Sequence, residues 1–195
     1  AEKFFKYKKI NTNLFFEDAR TYVRKCKKKY HLIIIDLFFA DGIPEHLTTI
    51  EFYKDLKNCL HDDGILISNS ITDFSNNLTL NAVLSTFNAV FKNLYYFYDK
   101  TYIDQSSIKV TNLYTLATNK GKLKNLNFKF DHVPEGMKTR LSSTLKNINI
   151  FKEEEMNKKN IIYDEKNTYS EIFSKSMRSF RQLVSSSIPS RILIN

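Results

Sequence analysis

The chain has 195 residues, 42% hydrophobic and 14% aromatic, and its 30 Lys plus Arg against 21 Asp plus Glu leave a net charge of +9. That is enough apolar material for one ordinary core and too little chain for two large ones. No apolar run approaches the roughly 18 residues that a membrane-spanning helix needs, because the run from Leu32 to Ile35 meets Asp36 at once. The opening Ala1-Glu2-Lys3-Phe4-Phe5 reads as the last turns of a helix already under way, so the natural amino terminus, with any targeting segment, is expected upstream. Residues 13–17 form a short apolar run ending in Glu17 and predict a strand. Residues 19–28 predict a helix with Ala19, Tyr22, Val23 and Cys26 on one face.

Residues 30–35 (Tyr30, His31, Leu32, Ile33, Ile34, Ile35) are apolar and β-branched toward both faces, the pattern of a central parallel strand, which ends at Asp36. A loop over residues 37–47, holding Gly42 and Pro44, leads to Thr48, which forms a capping-box signature with Glu51. Phe52, Leu56 and Leu60 then share a helix face, and Asp62-Asp63-Gly64 supplies a stop. Residues 65–68 read as a strand. Asn77 or Thr79 caps the next helix, whose apolar face is Leu80, Val83, Leu84, Phe87, Val90 and Phe91. Residues 94–98 and 112–118 read as two more strands. Strands alternating with helices predict an α/β domain with a mostly parallel sheet over residues 1–120.

Beyond Gly121 the alternation stops, and residues 121–195 read as a mainly helical extension that packs on the domain or on a partner. It holds helices over 134–148 (Met137, Leu141, Leu145, Ile148) and 168–186 (Phe173, Met177, Phe180, Val184), joined by a charged linker over 152–160. Cys26 and Cys59 lack a CxxC spacing and read as buried, reduced thiols. The four histidines, His31, His46, His61 and His132, show no i, i+3 or i, i+4 spacing, so no metal site is expected. The basic runs at residues 6–9, 24–29 and 120–124 read first as a solvated lysine face, with nucleic acid or an anionic assembly surface as the second reading.

In an open α/β sheet ligands gather at the carboxyl ends of the strands, and Asp18 and Asp36 fall there. Such a carboxylate can accept from an adenine amino group, a ribose hydroxyl or an amine, or act as a general base. The competing reading is a helix cap, attractive for Asp18 because a helix follows it directly. Leu14-Phe15-Phe16-Glu17-Asp18-Ala19-Arg20, Tyr30 to Asp36, Ile43-Pro44-Glu45-His46-Leu47-Thr48-Thr49-Ile50-Glu51-Phe52-Tyr53 and Leu60-His61-Asp62-Asp63-Gly64-Ile65-Leu66 together resemble the spermidine synthase family, in one order over about residues 1–118. The likeness is strongest to its methyltransferase-like branches.

The resemblance implies a Rossmann-like, methyltransferase-type sheet whose first strands precede this chain, and a cytoplasmic protein, with an organelle left open by the unseen amino terminus. It implies that Asp18, Ala19, Asp36 and Leu37 hold S-adenosylmethionine or its decarboxylated form. Asp36 would be the catalytic carboxylate, and residues 37–47, with Asp41 and Glu45, the loop over the substrate. Aminopropyltransferases resemble one another in a second Asp three residues after the first, and here that place is Phe39. Glycine stands only at positions 42, 64, 121 and 136, so the Gly-rich nucleoside turn is not in this sequence. The main expectation is therefore a methyltransferase-like transfer of an alkyl group to an amine. The alternatives are a non-catalytic subunit of a larger assembly and a spermidine synthase. In the family's strand order two strands stand between residues 13–17 and 30–35, so an upstream segment or a partner chain, homodimeric or from a larger assembly, is expected to complete the sheet.

Overall fold

A computed structural model describes residues 13–38, 42–75, 77–106, 109–121 and 131–187. Helix α1 (Ala19–Arg24) leads to strand β1 (Tyr30–Ile35), a 3₁₀ turn (Glu45–Leu47), α2 (Ile50–Asn58), β2 (Leu60–Asp73), α3 (Asn77–Asn88), β3 (Asn93–Tyr98), α4 (Lys100–Gln105) and β4 (Val110–Thr118). Then follow α5 (Glu135–Lys146), β5 (Asn149–Phe151), 3₁₀ turns at Glu153–Glu155 and Lys158–Asn160, and α6 (Tyr169–Ser187). The strands form one sheet in the order β1-β2-β4-β3-β5.

The α/β class stands, and two expectations about the sheet need correction. Only the β1–β2 pairing is parallel among the described residues, while β4 runs antiparallel to β2 and β3, and β5 antiparallel to β3. The cause lies in the connection: β3 and β4 are joined through the six-residue α4, too short a path to carry the chain back across a sheet face as a βαβ crossover must. Residues 13–17, expected to be a strand, form none: 13–16 are irregular, Glu17 is a bend, and Phe16 is 95% exposed. A strand needs a ladder partner, and among the described residues these pair with neither β1 nor another strand.

Strand β2 is longer than the expected 65–68 because its alternation continues to Asp73, with Leu66, Ser68, Ser70 and Thr72 turned into the protein. Its register on β1 jumps from Tyr30↔Leu60 to Leu32↔Ile65, so residues 61–64 bulge, and Gly64 sits where a Cβ would lie 2.9 Å from Tyr30 O. Helix α2 starts as its sequence demands: Thr49 caps it by accepting from Phe52 N at 3.3 Å, and Phe52, Tyr53 and Leu56 are buried. The rings of Tyr53 and Phe87 stack at 4.0 Å, joining α2 to α3.

The extension is part of the same core. Phe151, Ile162, Tyr169, Phe173 and Met177 belong to one buried cluster with Leu66, Leu84 and Phe87. The expected linker is seated on α3, where Asn157 N donates to Ser85 Oγ at 3.1 Å and Ile162 N to Thr86 Oγ1 at 3.0 Å. The side chains of Phe180 and Val184 lie outside the described residues. In the 24–29 basic run, Arg24 bonds Asp55, Lys25 bonds Glu17 and Lys29 donates to Asn58 O, as a solvated face does.

Strand β1 is the end of the sheet among the described residues. Ile33 and Ile35 pack toward the core, while Leu32 is 50% and Ile34 65% exposed. An edge strand with bare apolar side chains and unpaired backbone groups is a template for another strand.

Candidate active site

The site begins with strand register. Ile35 stands opposite Ser68 in the parallel ladder, so Asp36, just past the end of β1, lies beside Asn69 in the middle of β2. Asn69 Nδ2 donates to Asp36 Oδ1 at 3.0 Å, while Asn69 Oδ1 is buried without a hydrogen-bond partner among the described residues. Asp36 itself is exposed. Asn69 was not picked out from sequence, where it is one polar residue in the middle of an alternating strand.

Asp18 is the N-cap of α1: it accepts from Thr21 N at 3.0 Å through Oδ1 and bonds His46 Nε2 at 2.8 Å through Oδ2. The hydrogen bond to His46, then the one from Thr21 N, holds its carboxyl below the ordinary value of 3.8. The helix-cap reading of this residue is thus observed, with the second carboxylate oxygen engaged by His46. His46 lies on the 3₁₀ turn at Glu45–Leu47, and its carbonyl accepts from Arg20 Nη1 at 3.1 Å.

Arg20 is only 6% exposed and forks onto Asp164, with contacts of 2.8 and 2.5 Å. A bidentate guanidinium pair of this kind fixes geometry as well as charge. It holds the Asp164 carboxyl low, with burial opposing. Asn167 Nδ2 adds a bond to Glu45 O at 2.8 Å, and Thr48 Oγ1 another at 2.7 Å. The second half of the 37–47 loop is thus fastened from three sides, one of them the carboxyl-terminal extension. Glu45 is exposed, and Asp41 and Phe39 lie outside the described residues.

Between α1, β1 and α2 lies an open, mainly apolar cavity of about 440 Å³, bordered by Ala19, Tyr22, Ile33, Ile35, Leu37 and Phe52 among others. Ala19 and Leu37, two of the residues expected to hold a nucleoside, border it, while Asp18 and Asp36 are not among its lining residues, their carboxylates turning to His46 and Asn69. Apolar walls with a few polar groups at the rim suit a planar ring with a polar edge. Tyr22 and Tyr30 share a hydrogen bond of 2.9 Å at the border, which pushes the Tyr22 hydroxyl up to about 12.

The spermine/spermidine synthase domain family model matches residues 1–133. The chain belongs to this family. It is 35% identical over 82 residues to a polyamine aminopropyltransferase of Thermoplasma volcanium, covering 42% of this chain and 30% of the relative. It is 34% identical over 101 residues to a polyamine aminopropyltransferase of Vibrio vulnificus, covering 50% of this chain and 33% of the relative. The chain therefore spans about a third of the length of these curated relatives. Among solved structures, a probable spermidine synthase from Corynebacterium glutamicum superposes with a TM-score of 0.54 at 16% identity, over 76% of this chain and 52% of that one. This likeness establishes the Rossmann-like α/β fold.

Proposed function

We propose that this chain carries the acceptor side of an aminopropyltransferase active site, moving an aminopropyl group from decarboxylated S-adenosylmethionine to an amine. The observation that carries the reading is the Asp36–Asn69 pair at the end of a parallel strand, beside an apolar cavity bordered by Ala19 and Leu37. Aminopropyl transfer takes the place of the expected methyl transfer because the relatives that align with this stretch are polyamine aminopropyltransferases.

In the step itself, the amine nitrogen attacks the carbon next to the sulfonium, the C–N bond forms, and the C–S bond breaks with its electron pair left on a neutral thioether. The proton released by the amine passes to the Asp36 carboxylate, which Asn69 holds in place. Positioning of the two reactants supplies most of the acceleration in such a transfer, and proton removal the rest. The chain's described glycines offer no close-approach turn for the nucleoside. A strand added to the free edge of β1, covering Leu32 and Ile34, is the natural source of the opposite wall.

The test is calorimetric titration of the protein with decarboxylated S-adenosylmethionine and with S-adenosylmethionine, followed by mass-spectrometric analysis of a diamine acceptor. Binding of the decarboxylated donor and a product heavier by one aminopropyl group support the proposal. A methylated product, or binding of neither nucleoside, sinks it, and the second of these outcomes leaves the non-catalytic subunit in its place.

A further inference from the structure

Cys26 and Cys59 sit at the amino end of β1, where Tyr30 N donates to Cys59 O at 2.8 Å, the opposite end of the strand from Asp36. Nothing in the transfer step uses them. In sequence they belong to different helices, but the fold hangs both on a single atom. Cys26 N donates to Val23 O at 3.1 Å and Cys59 Sγ to the same oxygen at 3.4 Å, while Cys26 Sγ donates to Lys28 O at 3.1 Å. Cys59 is buried at the C-cap of α2, whereas Cys26 is partly exposed just past the end of α1. Both border the cavity.

We propose that Cys26 and Cys59 are a redox pair, which a peroxide converts to an intramolecular disulfide that clamps the end of α1 to the end of α2. The two cysteines divide the work by exposure. The accessible Cys26 sulfur attacks a peroxide oxygen, the O–O bond breaks, and Cys26 becomes a sulfenic acid with one water released. The Cys59 sulfur then attacks the sulfenic sulfur, the S–S bond forms, and a second water leaves. Two thiols lose two electrons and two protons, and the peroxide gains both. Burial first, and the neighbouring Cys26 thiol second, push the Cys59 thiol up to about 12, which suits a resolving partner that does not react with bulk oxidant by itself.

The clamp has something to hold. Helix α1 is six residues long, and the ion pair joining it to α2, Arg24 to Asp55 at 3.4 Å, is solvent-exposed and weak. Asp18 caps this same helix, so fixing its far end also fixes the rim of the cavity.

The experiment exposes the whole chain to hydrogen peroxide, alkylates it with N-ethylmaleimide in denaturant, and reads intact mass and a non-reducing peptide map. The expected result is a monomer lighter by two hydrogens, without maleimide adducts, a peptide joining Cys26 to Cys59, and a higher Tm than the reduced protein. Cys26→Ser is expected to leave Cys59 unoxidised by the same treatment. Crosslinks only between chains, or Cys26 driven to sulfinic acid while Cys59 still takes maleimide, overturn the proposal. The wild-type peptide map decides the matter even where Cys26→Ser folds poorly.

Discussion

Asn69 Nδ2 reaches Asp36 Oδ1 across 3.0 Å because the parallel ladder sets Ile35 against Ser68, so the amide and the carboxylate emerge from neighbouring strands at one level. An exposed carboxylate has several rotamers available, and one hydrogen bond from a strand-borne amide narrows them. Asp36→Asn is expected to lower kcat for amine transfer by about 10²-fold or more while the nucleoside still binds. Asn69→Ala is expected to cost about 10-fold in kcat, the worth of one orienting hydrogen bond, with KM for the donor little changed. Steady-state kinetics with a diamine acceptor separate the two, and a donor KM that rises in step with the kcat loss in Asn69→Ala would reassign Asn69 to substrate binding.

The Arg20–Asp164 fork joins α1 to the segment before α6, and it is the most buried ion pair among the described residues. The guanidinium also satisfies the His46 carbonyl, so one substitution frees a helix, a turn and the extension together. Arg20→Met, which keeps the apolar stem, is expected to lose about 2 kcal/mol of stability, discounted from fully buried pairs because Asp164 is one-third exposed. Urea unfolding followed by circular dichroism measures it. A loss within about 0.5 kcal/mol, the range of ordinary surface changes, would show that the extension is held by its apolar contacts alone.

What the sequence displayed and what it hid divide along physical lines. Residues 30–35 were readable as a strand ending at a carboxylate because Leu32, Ile33, Ile34 and Ile35 before Asp36 have few other uses. The expected central strand covered on both faces is instead the edge of the sheet among the described residues, with Leu32 and Ile34 exposed. Thr49, one residue after the expected cap, starts α2 for the reason the capping pattern predicts. The antiparallel β4 was not readable, because a strand's direction depends on the length of the connection before it and not on its own residues. Residues 13–17 misled for a related reason: Leu14, Phe15 and Phe16 carry strand chemistry, but a ladder needs a partner, and none stands beside them among the described residues. Long-range pairs were invisible altogether. Asp18 with His46, Arg20 with Asp164, and Cys26 with Cys59 are brought together by tertiary packing, and no local spacing announces them.

Acid should act through two carboxylates whose partners are known. Asp18 is held low chiefly by His46 and Asp164 chiefly by Arg20. A group whose pKa is depressed on folding contributes stability that is fully present above its unfolded value, here 3.8, and lost as pH falls through the folded value. The Tm is therefore expected to be insensitive to these groups near neutrality and to drop below about pH 4. In Asp164→Asn the acid limb should be shallower, since one of the two titrating contacts has been removed. Calorimetric scans from pH 3 to 7 on both proteins make the comparison, and parallel acid limbs would mean that the Asp164 contact does not persist in solution.

Gly64 offers the sharpest test of the β1–β2 register. A Cβ built there lies 2.9 Å from Tyr30 O, 3.0 Å from His61 O and 3.0 Å from Leu60 Cδ2. Two of these neighbours are backbone carbonyls, one on β1 and one inside the bulge, and cannot rotate away as a side chain can. Thr118 Oγ1 also donates to Gly64 O at 2.9 Å in a buried position, so the residue is held from the β4 side too. Gly64→Ala must displace either β1 or the bulge, at an expected cost of about 1–3 kcal/mol. Because Tyr30 begins β1 and Asp36 follows its end, a shift at the first is carried along a stiff strand to the second. The variant should therefore lose transfer activity more steeply than a surface mutant of equal stability. Chemical denaturation gives the stability, and activity measured well below the melting temperature gives the functional effect. A fully stable Gly64→Ala would mean that Tyr30 is not paired as described.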